Sequence, residues 1–408
     1  MSDNFPDQAL QRWWMQHRLR LLQVIAALMA AAAVLKLGDE FRRLVWETGP
    51  NGAIDMKYLH GFVAGWFSGQ PVYEQYHAPH PPATFVMLWP LLGWLSVTPA
   101  RWYWAATSVV ALLAIILLIL RISGAETRLE QIFVALLLLS INGTGVTIGN
   151  GQLILHILPA LLAGVLVLNR ERNALGDDLI AAALLTWTLL KPSVAAPFLW
   201  VFLFGWQRWR PVLVIVAMYA VLTLVAAAFQ KESLPTLFEM FLKSASATVS
   251  RFPGTRNVHA LLADVGLEKW IPLSSGIIFA ALGVWTFCYR RADRWVLMAV
   301  AALIARMWTY HRVYDDVLIL LPELALFRIA KENSWSRQSA LAGVLLAVTA
   351  LAMLCPARFL DQPSDWAWTS NWAWIFTGGH TILWLHVLAY LMNYARHDRD
   401  GSIRMAAR

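Results

Sequence analysis

An all-helical bundle that crosses a membrane many times is the fold class predicted by this 408-residue sequence. Three observations predict it. Apolar side chains make up 59% of the chain and charged ones only 14%, against roughly half and about a quarter in soluble domains. Runs of about 20 apolar residues, each enough to cross a bilayer, recur from Arg20 almost to the C-terminus. The formal charge of +8 sits largely on basic residues in short loops between those runs, where they set orientation rather than bind nucleic acid. The two cysteines, Cys288 and Cys355, lie inside apolar segments and supply neither a disulfide framework nor a multi-thiolate zinc site.

Residues 1–19 read as a cytoplasmic N-terminus, with Arg12, Arg18 and Arg20 ahead of the first apolar run, Arg20 to Leu37. Its Ala-x-Ala pattern also fits a signal peptide, but the many later spans make an uncleaved helix the simpler reading. A loop of about residues 38–82 follows, then the apolar piece Pro82 to Val97, punctuated by Pro90 and Gly93 and readable as a full span or a shorter dipping element. Trp102 to Leu120, Gln131 to Ile148 and Leu153 to Leu168 come next. The stretch Leu179 to Trp206 is interrupted at Lys191 and Pro192, which suggests a helix-turn-helix pair. Pro211 to Phe229 leads into a second long loop, 230–271. Ser274 to Tyr289, Trp295 to Trp308, Val313 to Ile329 and Ser339 to Leu354 precede a Trp-rich stretch, 356–371, and the last span, Trp372 to Met392. The total is about twelve spans, one domain over residues 20–392 with a basic cytoplasmic tail, 393–408.

Alternating through these spans places Arg121/Arg128, Arg170/Arg172, Arg208/Arg210, Arg290/Arg291/Arg294 and Arg328/Lys331/Arg337 on the cytoplasmic side, as the positive-inside rule requires. The agreement holds only if Pro82 to Val97 inserts partway. The three long loops then face outward, and Trp366, Trp368, Trp372 and Trp374 read as an interfacial belt. Neither a period of about 20 to 50 residues nor an inverted half is visible.

The first outer loop is the most informative piece. It strings together Asp55, Tyr58, Gly69, Tyr73, Tyr76, Pro81 and Pro82. Ile54, Leu59, Phe62, Val63, Trp66 and Phe67 recur at roughly helical spacing, which predicts a juxtamembrane amphipathic helix with Asp55 near its start. That carboxylate is either a helix cap or a functional acid. Lys191 interrupts an apolar stretch, and an ion there is a functional candidate or a snorkelling side chain. His311 has Asp315 one helical turn on to orient its ring. Arg251, Arg256 and Arg312 fall at outer ends or in outer loops. Gly149 and Gly151 permit close backbone approach, and Gln152 can donate to a sugar or phosphate. His156 reads as a core hydrogen-bonding residue. Asp39 and Glu40 are the alternative acids. No His-x-x-x-His pair or carboxylate cluster has ligand spacing, so neither metal nor cofactor is expected.

The run IDMKYLHGFVAGWFSGQPVYEQYHAPHPPATFVMLWPL resembles the first outer loop of glycosyltransferase family 87, integral-membrane enzymes of the GT-C class that use polyprenyl-phosphate sugars. GNGQLILHILPALLAGVLVLNRER, LLKPSVAAPFLWVF, RNVHALL and YHRVYDDVLILLPELAL resemble later pieces in the family's order, from Asp55 to about Leu326. His80 stands before the Pro pair where an aromatic is commoner, and RNVHALL lacks the more usual Gln-Ser version. The resemblance implies a GT-C-like bundle with Asp55 as the catalytic base. It also implies donor-phosphate contacts at Lys191, His311, Arg251 and Arg256, and sugar or acceptor contacts at Tyr58, Tyr73, Gln152, Asn257 and His259. The implied partners are a polyprenyl-phosphate sugar donor, a lipid or glycan acceptor, and membrane lipids. The implied reaction is inverting hexosyl transfer, mannose foremost, on the periplasmic face of a bacterial inner membrane, in a cavity beside a groove for the polyprenyl tail. Two other classes compete. A transporter or flippase would place ionisable residues at mid-span in two related halves; an assembly subunit of an envelope-polysaccharide system would depend on its loops rather than on Asp55.

Overall fold

The computed structural model describes residues 5–170, 174–251, 262, 265–309, 311–332, 336–355 and 367–399. Among these every regular element is helical and no strand occurs. Arg256, Asn257, His259, Trp366 and the tail from residue 400 lie outside the described residues, as do the side chains of Arg251, Trp368, Trp372 and Trp374.

Helix α1 (Phe5–Val45) has 41 residues, about 62 Å at 1.5 Å per residue, and continues through Gly38, Asp39 and Glu40. The first long loop holds α2 (Ile54–Phe67) and the single turn α3 (Val72–Gln75). α4 (Pro82–Leu92) has 11 residues, about 16 Å, roughly half the hydrocarbon thickness. α5 (Val97–Ser123) is followed by α6 (Arg128–Ser140) and α7 (Asn142–Asn150), bent by 50° at Ile141. α6 starts at a capping box in which Glu130 N–H donates to Thr127 Oγ1 and the Glu130 carboxylate accepts from Thr127 N–H. α8 (Ile154–Leu168) packs on α5 and on α9 (Leu175–Thr188). α10 (Pro192–Trp200) runs into a π turn, Val201–Gly205. Then come α11 (Trp209–Ala227), the amphipathic α12 (Leu234–Arg251), α13 (Ile271–Cys288) and α14 (Arg294–Met307). A 3-10 segment, Val313–Ile319, leads into α15 (Leu320–Lys331), and α16 (Arg337–Met353) and α17 (Ala367–Arg399) close the chain.

Among the described residues, four stretches are long and apolar enough to cross a membrane by themselves: Leu22–Val45, Val97–Ser123, Trp209–Ala227 and Glu268–Cys288; the bent pair α6 and α7 makes a fifth. The apolar helices Pro82–Leu92, Ile154–Leu168, Pro192–Gly205 and Arg337–Met353 are shorter. Of the dozen or so expected spans, some thus coincide with full-length helices and others with shorter or broken ones. The chemical reason is visible at the breaks.

Backbone freed from a helix inside an apolar bundle must find other partners. At Leu190, where α9 has ended and Pro192 forbids continuation, the carbonyl accepts from Thr84 Oγ1 of α4 at 3.1 Å. Just beyond, Trp308 Nε1 donates to Ser193 O at 2.6 Å. In the 3-10 segment, the Tyr314 carbonyl accepts from Thr147 Oγ1 of α7 at 2.8 Å. Gly143 of α7 packs so closely on Val313 that an added Cβ would lie 2.6 Å from the Val313 carbonyl. The break between α9 and α10 and the break before α15 are thus each tied to neighbouring helices, and they face one another.

Candidate functional site

The two facing breaks place Lys191 against the 3-10 segment. Lys191 Nζ donates to Asp315 Oδ1 at 2.6 Å, with side-chain exposures of 11% and 1%. The same ammonium lies 4.8 Å from the centre of the Tyr314 ring. Asp315 Oδ2 pairs with His311 Nδ1 at 2.9 Å, and His311 Nε2 meets Thr309 Oγ1 at 3.0 Å. His311 is fully buried and both its ring nitrogens are engaged within the protein, so it acts on Lys191 through Asp315. Burial pulls its pKa down while Asp315 pulls it up. Below this group Arg306 Nε donates to Asp316 Oδ1 at 2.6 Å, its guanidinium 4.7 Å from the Trp384 ring.

Asp55 approaches from the other side, in the first turn of α2. Its place is fixed by a Gly-Asn-Gly-Gln turn at the end of α7. Ala53 N–H donates to Gly149 O at 3.2 Å. Gly149 leaves room for the Glu40 carboxylate and the Arg43 guanidinium, which a Cβ would strike. Gly151 has φ of 72°, a left-handed conformation that suits glycine, and its α-carbon faces Met56, next to Asp55. With both glycines bare, the intervening Asn150 and the following Gln152 present their amides to Asp55. Burial raises the Asp55 pKa above the ordinary carboxylate value; the amides of Gln152 and Asn150 and the charges of Arg312 and Lys191 act to lower it. Among the described residues its buried Oδ2 has no hydrogen-bond partner. Lys191 and Arg312 lie close enough for their charges to act on Asp55.

Glu40, the alternative acid, is 3% exposed and held by Arg43 at 2.6 Å and Lys36 at 3.4 Å. It fastens α1 to the α7 turn. Tyr58 is 56% exposed, its ring stacked on Phe62 at 6.2 Å between centres. Tyr73 is 4% exposed and its hydroxyl donates to His80 O at 3.0 Å, so it secures the loop from within. His156 sits one turn beyond Gln152 with Nε2 2.9 Å from Thr107 Oγ1. It lines, with Pro159, Ala160 and Ala163 on the same face of α8, a cavity of about 540 Å³ walled elsewhere by Ala114, Leu118, Leu184 and Trp187. Among the described residues no three His, Cys, Asp or Glu side chains gather as metal ligands would.

Sequence reading missed three members. Asn150 was hidden as the spacer between two glycines. Asp315 was read as a partner of His311 alone, because nothing local shows that Lys191, 124 residues away, closes on it. His80 was noted only as an exception before a Pro pair, yet both Lys191 and Asp315 act on its ring.

The model of glycosyltransferase family 87 matches residues 79–311, more than half of the chain. No curated protein and no solved structure shows a significant match. The matched region contains His80, Asn150, Gln152, Lys191 and His311; Asp55, Arg312 and Asp315 lie outside it.

Proposed function

The chain belongs to glycosyltransferase family 87, and on that premise we propose that it transfers a hexose, mannose foremost, from a polyprenyl-phosphate donor to a lipid or glycan acceptor, with inversion, on the periplasmic face of a bacterial inner membrane. The observation that carries this reading is a carboxylate with a buried, unpartnered oxygen, Asp55 Oδ2, within electrostatic reach of Lys191 and Arg312. A carboxylate base with cations in its neighbourhood suits a displacement at a sugar carbon bearing a phosphate.

In this reading the acceptor hydroxyl gives its proton to Asp55 as its oxygen bonds to the anomeric carbon. The bond from that carbon to the phosphate oxygen breaks on the opposite face, and its electron pair leaves with the polyprenyl phosphate. The desolvated Asp55 is a stronger base than a surface aspartate. Gln152 and Asn150 hold its carboxylate in line. Lys191 and Arg312 stabilise charge on the leaving phosphate, while Asp315 and His311 keep Lys191 aimed. The Lys191 charge is held in place by its pairing with Asp315. The apolar cavity along α8, beginning one turn from Gln152, suits an isoprenoid chain whose head group sits at Asp55.

The test is transfer from labelled polyprenyl-phosphate mannose in membranes, with wild type and Asp55→Asn at equal expression. Loss of a general base costs about 10²–10⁴-fold, so the variant should fall by at least two decades. A variant as active as wild type would remove Asp55 from the chemistry. A silent wild type under these conditions, when a glucose or pentofuranose donor is used by the same protein, would replace mannose and keep the mechanism.

A further inference from the structure

His80 lies between the two halves of the site, and nothing in the reaction as derived above uses it. Its backbone is held firmly: Tyr73 donates to its carbonyl at 3.0 Å. Pro81 and Pro82 follow and open α4, and Thr84, one turn on, is bonded to Leu190 O beside Lys191. Its ring faces Phe62 of α2 at 6.4 Å between centres, on the aromatic row that also holds Tyr58 and Tyr76. The charges of Lys191 and Asp315 also reach it. The imidazole makes no hydrogen bond within the described protein, although it is only partly open to solvent. Desolvation first, and Lys191 second, push its pKa down to about 3, so it is neutral across the physiological range.

A neutral imidazole offers one donor and one acceptor. Held rigidly between an aromatic row and a phosphate-binding lysine, with neither nitrogen used by the protein, it is a built hydrogen-bonding wall for a neutral polyhydroxyl group. The ammonium beside it marks that group as the one attached to the phosphate.

We propose that His80 hydrogen-bonds a ring hydroxyl of the sugar on the donor lipid, over the Phe62 face, and so selects the donor sugar. This rests on the polyprenyl-phosphate reading above. Phosphate affinity comes from Lys191 and Arg312, and the discrimination among sugars comes from His80. A site built to hydrogen-bond a hydroxyl rejects the analogue without it more strongly than an apolar pocket rejects an added group.

The experiment is a binding titration of the purified protein in detergent micelles with two lipids, polyprenyl phosphate and polyprenyl-phosphate mannose, read by tryptophan fluorescence. Wild type should bind the mannosylated lipid more tightly than the bare phosphate. His80→Phe should weaken the mannosylated lipid about 2- to 10-fold, the value of one net hydrogen bond, and leave the bare phosphate unchanged. His80→Asn, which keeps a donor and an acceptor, should restore part of the difference. Lys191→Met should weaken both lipids. Equal loss for both lipids in His80→Phe, or no loss for either, overturns the assignment of His80 while the donor reading stands. Wild type that binds neither lipid overturns the donor reading, and the sugar contact with it.

Discussion

Replacing Asp315 by Leu leaves Lys191 in the bundle without its counter-charge. The pair is 2.6 Å apart, with side chains 11% and 1% exposed, so solvent screening is weak. At an effective dielectric of about 20 the attraction at that distance is roughly 6 kcal/mol. Most of it only offsets the desolvation of the two ions, and breaking a buried pair by removing one member costs about 3–5 kcal/mol net. Asp315→Leu should therefore lower the folding equilibrium by about two to four decades. Lys191→Met should cost somewhat less, because it strands Asp315 with His311 still bonded at 2.9 Å, whereas Asp315→Leu strands both Lys191 and His311. The double variant carries no orphaned charge from this pair, and it should be more stable than the sum of the singles predicts, by about 2–3 kcal/mol. The assay is unfolding by SDS titration in mixed micelles, followed by the emission of the 22 tryptophans. Singles that each cost under about 1 kcal/mol and add without coupling would be the behaviour of a surface pair, and would refute the inference that the two helix breaks close on each other.

The remaining expectations concern acidity and backbone shape. Asp55 must be ionised to accept a proton, and Gln152 helps hold its pKa down against burial; Gln152→Leu should move the acidic limb of kcat/KM to higher pH, and a limb that stays put or moves down would show that another group titrates. Lys191→Met should shift that limb in the same direction, since it removes a charge that lowers the Asp55 pKa, while also lowering kcat. Gly151→Ala forces a side chain into φ of 72° and against Met56, so thermal unfolding should show a loss of about 1–3 kcal/mol. Gly61→Ala is the matched control: it lies within α2 with nothing within 4 Å of a new Cβ, and it should gain about 0.5–1 kcal/mol from helix propensity.

Much of the architecture was legible because it depends on local composition. Apolar runs must be helical where lipid offers the backbone no partners, and Pro, Gly and basic residues mark where those helices stop. A helix in the first loop was readable from the spacing of Ile54, Leu59, Phe62, Val63 and Trp66, and it is there as α2. Gly149, Gly151 and Gln152 could be singled out as a close-approach turn on residue type alone, and the interruption at Lys191 and Pro192 was visible in the hydropathy.

What the chain could not disclose locally is which interruptions meet. A broken helix looks the same in sequence whether its polar residues face water or another broken helix. Only the fold brings residue 191 to residue 315, carries the Thr84 hydroxyl to the Leu190 carbonyl, and turns His80 toward that pair. Glu40 is paired locally, by Lys36 and Arg43 on its own helix, and only the fold sets that carboxylate against Gly149 of α7. Hydrophobic pattern is read one residue at a time along the chain, and it sets which segments are buried. Pairing of ions and hydrogen-bonding groups is short-ranged in space and indifferent to separation in sequence, so the site had to wait for the tertiary structure to place its charges.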